Sequence, residues 1–257
     1  MTNSKCATFI QPRPELIYLP FEGPIERCIP ELIAKGRKII SPKELMIQRL
    51  SGLKGDKDFL ARFHVYTSLA VVPNPSGDEI KLCHNLPVIY EINPKAKIRS
   101  GALEITQELY DTAEGLMLTG SEVKPFLGLR ENYSQPKTRE KVWEYFAEGD
   151  TKLFRKYRSF VCKKSNGSFD DVMGLWLPED KGLRLLCIDS INDYQNHSSG
   201  ASCINDLDGC DSGGRLIGVA GSELIAQTLE ETLAYARPFV PDDKWKDFEA
   251  GMKEKLK

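Results

Sequence analysis

The chain has 257 residues, of which 28% are charged and 41% hydrophobic, and this is the composition of a folded globular protein rather than a disordered one. The formal net charge of −2 provides no overall field to attract nucleic acid, and no apolar run approaches the roughly 18 residues of a membrane-spanning helix. Seven cysteines without a CxxC pair argue against a disulfide framework or a zinc ribbon and predict a cytoplasmic location.

The N-terminal part of the chain carries two helix signals. A first helix is predicted at residues 25–35 because Gly36 follows it, although Pro30 limits its length. In Ser41-Pro42-Lys43-Glu44 the serine suits the N-cap, the proline suits the first helical position, and the glutamate can reach back to the cap. A second helix is therefore predicted between this string and Gly52.

The middle of the chain predicts strands. Residues 63–71 alternate between two sets of side chains with a period of two. The turn residues Asn74-Pro75-Ser76-Gly77 then lead into a hairpin partner at residues 79–83. Further short strands are predicted at residues 88–92, 98–105 and 116–118, with a helix at 106–113.

The period becomes helical from Thr138, and Asp150 can cap a second helix that continues to Cys162. The remaining predicted elements are strands at residues 174–177, 183–188 and 215–220 and helices at 222–237 and 242–257. Because helices and strands do not alternate in βαβ order, we expect an α+β fold with a small antiparallel or mixed sheet and flanking helices. Residues 1–257 are predicted to form a single compact unit, with a subdomain boundary near residues 128–136 as the alternative.

The stretch 189–214 is rich in Asp, Asn, Ser and Gly, and no helix or strand period runs through it. A long irregular stretch inside a domain is often functional when it is ordered. Asp206, Asp208 and Asp211 are spaced like the oxygen ligands in the first half of a calcium loop, although Gly209 comes one position early and the closing glutamate is missing. We expect either a Ca²⁺ or Mg²⁺ site formed by these three carboxylates or a solvated, turn-rich loop.

Two short strings in this stretch resemble pieces of enzyme families. Asn196-His197-Ser198, followed by Cys203, is similar to a string of SET-domain methyltransferases, and Cys210-Asp211-Ser212-Gly213-Gly214 is similar to the nucleophile string of trypsin-like proteases. The glycine-rich opening and the terminal tyrosine motif of the first family are missing, as is the upstream Ala-His-Cys string of the second. A motif without its structural context does not assign a family.

Cys83 and His84 are neighbours in sequence, but consecutive residues of a strand face opposite ways and do not form a catalytic pair by adjacency. Cys83 is interpreted as a buried structural thiol, and a contact with His64 or His197 across the fold is the alternative that would make it a nucleophile. The sequence contains no P-loop, GxGxxG, HExxH or GxSxG motif, which argues against P-loop NTPases, dinucleotide-dependent redox enzymes and zincins.

The predicted helix that follows Asp150 interleaves basic and aromatic residues, as a surface that contacts a phosphate backbone would. The basic residues in question are Lys152, Arg155, Lys156 and Arg158. Tyr157 and Phe160 share one apolar face with Leu153 and Val161, which explains the aromatic residues as core contacts and the basic residues as a solvated side. Nucleic acid and an acidic protein are therefore alternatives to a purely structural role.

Several short strings in the last two-thirds of the chain resemble a group of uncharacterised archaeal proteins. The strings are Met173-Gly174-Leu175-Trp176-Leu177, residues 183–187, Gly214-Arg215-Leu216-Ile217-Gly218-Val219-Ala220, Ser100-Gly101-Ala102-Leu103 and Glu114-Gly115. That group has no assigned activity. The resemblance therefore implies a prokaryotic, cytosolic setting and transfers no catalytic or binding residue.

Two functions agree with these observations, and neither involves a membrane. The first is an intracellular binding protein for a small ligand or another protein, with the stretch 189–214 as its contact surface. The alternative is a divalent-cation-dependent, hydrolase-like enzyme with Asp206, Asp208 and Asp211 as metal ligands. His197 would be its acid–base group, because an imidazole can exchange a proton at neutral pH. The binding function requires fewer coincidences.

Overall fold

The computed structural model describes residues 18–51, 60, 63–127, 136–168, 173–191, 200–202, 206–208, 214–220, 233, 237 and 242–255. Their strands are β1 (Tyr18–Phe21), β2 (Arg37–Ile39), β3 (His64–Pro73), β4 (Ile80–His84), β5 (Ile98–Arg99), β6 (Ala102–Leu103), β7 (Leu116–Leu118), β8 (Leu175–Trp176), β9 (Arg184–Ile188), β10 (Ala201–Ser202) and β11 (Gly214–Ala220). Their α-helices are α1 (Ile25–Ala34), α2 (Pro42–Ser51), α3 (Gln107–Thr112), α4 (Gly120–Val123), α5 (Pro136–Phe146), α6 (Thr151–Ser165) and α7 (Asp242–Lys255). None of these helices is both long and apolar enough to cross a membrane.

Strand β3 is the centre of a mixed sheet of nine strands that the described residues form. The sheet runs in the order β1-β11-β3-β9-β10-β8, with β2 beside β11, β4 beside β3 and β7 beside β4. β11 is parallel to β3, whereas β4 and β9 are antiparallel to it. The expected α+β fold with a mixed sheet and flanking helices is confirmed, and the sheet unites strands from both halves of the chain.

The two faces of the sheet carry separate hydrophobic cores. Val65, Leu69 and Val71 of β3 belong to the first core, which they share with apolar residues of α2, α5 and α6. The intervening Tyr66 and Ala70 belong to the second core, together with α1 and the 3-10 helix at Pro87–Glu91. Because both faces are covered, every residue of β3 from its second position onward is buried.

An irregularity in β3 leaves this division intact. The register with β9 shifts between Tyr66 and Ala70, so that three residues of β3 lie opposite Leu186 alone. The hydroxyl of Thr67, within this bulge, donates a hydrogen bond to the carbonyl oxygen of Leu186 at 3.0 Å. Because the register shifts by two residues, an even number, the apolar side chains before and after the bulge still point to the same faces of the sheet.

The helix starts that depend on local chemistry are confirmed. The amide of Glu44 donates to the hydroxyl of Ser41 at 3.1 Å, and the amide of Ser41 donates to the carboxylate of Glu44 at 2.8 Å. The carboxylate of Asp150 accepts from the amide of Leu153 at 2.9 Å and caps α6. That helix continues to Ser165, beyond the predicted end.

Two of the predicted strands have another structure. Residues 88–92 do not form a strand, because Pro87, which has no amide hydrogen to donate to a sheet, begins a 3-10 helix there. Residues 98–105 form the separate hairpin of β5 and β6 rather than one strand, because Ser100 (φ 51°) and Gly101 (φ 74°) turn the chain back. The predicted boundary at 128–136 and the predicted helix at 222–237 lie almost wholly outside the described residues.

Candidate ligand-binding surface

The stretch 189–214 begins and ends at the same end of the sheet. β9 ends there, and β3 and β11 begin there, since Ile188 pairs with Val65 and Gly214 pairs with His64. The described part of the stretch between these strands also contains β10, which pairs with β9 and is preceded by Gly200 at the same end. Side chains at these strand ends therefore lie beside the first and last residues of the stretch.

His64 and Asp189 form a hydrogen-bonded pair at this end of the sheet. His64 is the first residue of β3 and Asp189 follows the last residue of β9, so they face each other one position beyond the last strand pair. The distance between His64 Nδ1 and Asp189 Oδ1 is 2.9 Å, and their side chains are 36% and 20% exposed. The carboxylate holds the imidazole in one orientation at a place that solvent reaches.

A second group of polar contacts lies beside this pair. The guanidinium of Arg215, in β11, is 2.9 Å from the carboxylate of Glu22 and 4.9 Å from the ring centroid of Phe63. We call Glu22, Phe63, His64, Asp189 and Arg215 the sheet-end surface. It combines a cation, two carboxylates, an imidazole and an aromatic ring at the ends of four adjacent strands. These groups can hydrogen-bond and stack against a polar ligand.

The sheet-end surface rests on the buried side chain of Arg49, which is only 4% exposed. Its guanidinium donates to the carbonyl oxygens of Phe63 at 3.2 Å and Ile188 at 3.4 Å, and these residues directly precede His64 and Asp189. It also donates to the carbonyl of Leu60 and the hydroxyl of Tyr157, both at 2.8 Å. Arg49 is therefore a positioning residue, because it fixes the backbone on both sides of the His64–Asp189 pair.

Asp206, one of the three predicted metal ligands, lies away from this surface. Asp206 accepts a hydrogen bond from Arg184, at the opposite end of β9, with 3.0 Å between Oδ1 and Nη1. Asp208 is exposed, whereas Asp211 and His197 lie outside the described residues. Within the part of the chain that the structure describes, no group of three His, Cys, Asp or Glu residues could hold a metal ion. The Ca²⁺ or Mg²⁺ site therefore stays a prediction.

Arg184 anchors the middle of the stretch 189–214 to the fold. Burial by itself lowers the pKa of Arg184, but hydrogen bonds and charge interactions with Asp180 and Asp206 outweigh it, so the pKa is raised. Next to Asp206, the amide of Leu207 donates to the carbonyl of Gly101 at 2.7 Å, and the Leu207 side chain is fully buried in the second core. A side chain at Gly101 would collide with the Asp206 carboxylate, so only glycine fits there.

Cys83 and His84 do not act together. Cys83 is fully buried in the second core, and burial raises the pKa of its thiol to about 11 although Lys81 opposes the shift. His84 instead donates from Nε2 to the carbonyl oxygen of Tyr145 at 3.0 Å. A thiol that stays protonated at neutral pH is a structural residue rather than a nucleophile.

The structure divides the four basic residues singled out on α6. The guanidinium of Arg158 forms an ion pair with Glu140 at 3.0 Å. Lys152, Arg155 and Lys156 are exposed and line a groove between α6 and α2. Tyr157 of the predicted apolar face is buried in the first core, and Phe160 of the same face is partly buried against it. Phe154, outside that predicted face, is buried in this core as well.

Sequence reasoning missed the pairing of His64 with Asp189 and the contacts of Arg49. One signal was available: His64 opens the period-two segment, and Asp189 directly follows the predicted strand at residues 183–188. A polar residue at the end of a strand is common, however, and nothing local shows that these two strands are adjacent.

No protein-family model and no curated protein matches the sequence. One solved structure shares the fold, with a TM-score of 0.53 and 14% sequence identity over 79% of this chain and 96% of that chain. That structure is described with the words "Accommodation of massive sequence variation in Nanoarchaeota by the C-type lectin fold". This likeness shows a shared fold, and membership of an archaeal group stays a prediction.

Replacing Arg49 with methionine is expected to lower the free energy of unfolding by about 3–5 kcal/mol, because three buried carbonyls and a hydroxyl lose their donor. Tyr157→Phe removes only one of these acceptors and should cost about 1 kcal/mol. Urea unfolding of both variants measures the difference. Arg49→Lys, which keeps the charge with fewer donors, should fall between them, and a wild-type midpoint for Arg49→Met would contradict the anchoring role.

The Cys83 thiol is expected to resist alkylation by iodoacetamide in the folded protein at neutral pH and to react in the urea-unfolded protein, as peptide mass spectrometry would show. Because the folded pKa of about 11 lies above the ordinary 9.0, the proton stabilises the folded state below pH 9, and this contribution is lost as the pH rises through 11. The decline in unfolding free energy over this range should therefore be smaller in Cys83→Ala. Equal declines in both proteins would contradict the raised pKa.

Proposed function

We propose that the protein is a binding protein that takes a polar ligand on the sheet-end surface. The observation that carries this proposal is the His64–Asp189 pair, a solvent-accessible imidazole and carboxylate held 2.9 Å apart. The buried guanidinium of Arg49 fixes the backbone that carries both residues. A site whose polar groups are already oriented loses little conformational entropy when a ligand binds.

The shared fold supports this proposal. The C-type lectin fold is a ligand-binding fold, and in the Nanoarchaeota protein it is said to accommodate massive sequence variation. Such variation requires a scaffold whose stability does not depend on the varied surface. Here the two hydrophobic cores are formed largely by residues outside 189–214, so this stretch can contribute specificity while β3, β9 and β11 maintain the fold.

The sequence and the sheet together support a proposal for the domain organisation and the cellular location of the protein. We propose that residues 1–257 act as one compact unit, because strands before and after residues 128–136 pair within the same sheet. The cytoplasmic location predicted from the scattered cysteines belongs to the same proposal.

A divalent-cation-dependent enzyme is the second candidate. A histidine oriented by a carboxylate is also the arrangement of a general base, and the His64–Asp189 pair has that geometry. In this candidate Asp206, Asp208 and Asp211 would hold Ca²⁺ or Mg²⁺ and His197 would be a further acid–base group. Since one oxygen of Asp206 already accepts from Arg184, the cation would depend mainly on the other carboxylates.

The binding proposal is tested with fluorescently labelled protein on arrays of glycans and peptides. His64→Ala and Asp189→Asn are each expected to weaken the strongest interaction by about tenfold or more, since the first removes the imidazole and the second replaces the charged carboxylate with a neutral amide. Glu140→Gln is the matched control, because Glu140 also belongs to a partly exposed ion pair but lies on α5. Equal binding by all four proteins would place the site elsewhere, and absence of any array interaction would contradict the proposal for these ligand classes.

The cation-dependent candidate is tested by thermal unfolding with and without CaCl₂ or MgCl₂. A cation at about 100 times its dissociation constant stabilises the folded state by about 2.7 kcal/mol, which raises the melting temperature by several degrees. Asp208→Asn and Asp211→Asn should abolish that rise if these carboxylates hold the ion. Asp206→Asn is a poorer probe, because it also breaks the Arg184 contact. No rise in the wild-type protein would remove this candidate.

A further inference from the structure

A groove between the C-terminal half of α2 and the N-terminal half of α6 has a composition that the sheet-end surface does not explain. It has a volume of about 940 Å³ and is lined by Ile47, Leu50, Ser51, Asp150, Lys152, Leu153, Arg155, Lys156 and Ser159. Ile47 is 42% exposed, and Leu50, one turn further along α2, is half-buried. The groove therefore has an apolar floor that is open to solvent.

The rim of the groove on α6 is strongly basic. Lys152, Arg155 and Lys156 are all exposed, and within the described chain none of them belongs to an ion pair. Arg155 and Lys156 follow Lys152 by three and four residues, which is about one helical turn. All three cations therefore lie on one side of the helix. Asp150 is the acidic residue of the lining, and one of its oxygens accepts from the amide of Leu153.

We infer that this groove binds an acidic amphipathic helix of a partner protein. The apolar floor can receive the hydrophobic face of such a helix, and the three cations can meet carboxylates that flank that face. The rim carries three positive charges in a chain whose formal net charge is −2, so the local charge favours an acidic partner at this groove rather than over the whole molecule.

Nucleic acid fits the groove less well. Bases bind to exposed aromatic platforms, but Phe154 and Tyr157, the aromatic residues nearest to the basic rim in sequence, are buried in the first core. Arg158, which the sequence grouped with the rim, is paired with Glu140. The exposed apolar floor would stay unused by a phosphate backbone, whereas an amphipathic helix covers it.

The test uses a fluorescein-labelled synthetic peptide of about five helical turns, with leucine along one face and glutamate on the others. Fluorescence anisotropy with the full chain should show binding that weakens as salt rises from about 50 to 500 mM, because salt screens the rim charges. A peptide with lysine in place of glutamate should bind at least about tenfold more weakly. A labelled oligo-dT of about 20 nucleotides is the nucleic-acid arm.

Two sets of substitutions locate the binding. Lys152→Glu, Arg155→Glu and Lys156→Glu together should weaken acidic-peptide binding by at least about tenfold. Lys163→Glu with Lys164→Glu, at the exposed far end of the same helix, should change it by less than about twofold. Ile47→Glu, a single change at an exposed position, should weaken binding as well by placing a carboxylate on the floor, and circular dichroism checks that each variant is folded.

The outcomes separate this inference from the sheet-end proposal. His64→Ala should leave peptide binding unchanged, since His64 is not part of the groove lining. Absence of acidic-peptide binding, or an equal loss in the far-end control, would overturn the inference. If oligo-dT displaces the acidic peptide, and the rim substitutions abolish the effect of oligo-dT, the inference is overturned in favour of nucleic acid.

Discussion

The buried guanidinium of Arg49 joins four parts of the chain that are distant in sequence. It contacts Tyr157 of α6, Phe63 before β3 and Ile188 at the end of β9 from its own position in α2. A buried charge is costly unless polar groups compensate for its lost hydration. Here the compensation comes from the carbonyl oxygens of Leu60, Phe63 and Ile188 and from the hydroxyl of Tyr157. One side chain therefore links α2 and α6 to the backbone that carries the His64–Asp189 pair.

The position of β3 explains why the candidate surface lies at this end of the sheet. A strand that is buried on both faces can display side chains only at its ends, and His64 is the first residue of β3. β11 joins β3 in parallel, so the chain has to return to the same end of the sheet before β11 begins. The stretch 189–214 provides that return. Its Leu207 packs in the second core, and Asp206 contacts Arg184, so part of this long connection is fastened to the fold.

The structure contains two surfaces of different chemistry. The sheet-end surface has an imidazole, two carboxylates, a guanidinium and an aromatic ring in fixed contacts, which suits a polar ligand. The groove between α2 and α6 has an apolar floor and three exposed cations, which suits an acidic helix. Both surfaces use α2, because Arg49 points from it toward the sheet end while Ile47 and Leu50 line the groove.

Much of the local structure was predictable because its causes are local. The Ser41–Glu44 capping box, the Asp150 cap and the hairpin of β3 and β4 each depend on residues close together in sequence. The segment at 88–92 was predicted wrongly because a short apolar run does not show whether a neighbouring strand is available. The site was less predictable, because it depends on which distant segments meet. His64 and Asp189 are 125 positions apart, and Arg49 and Ile188 are 139 apart.

The sequence by itself determined the α+β class, the helix caps and the exposure of the basic side of α6, because periodicity and capping act within a few residues. It also identified 189–214 as unusual. Only the tertiary structure decided that β11 inserts beside β3 and that His64 meets Asp189. The contact of Asp206 with Arg184 and the groove beside Ile47 likewise depend on the tertiary structure. The physical reason is that strand pairing uses backbone hydrogen bonds that are the same for every residue, so the choice of partner strand follows from the packing of both cores at once.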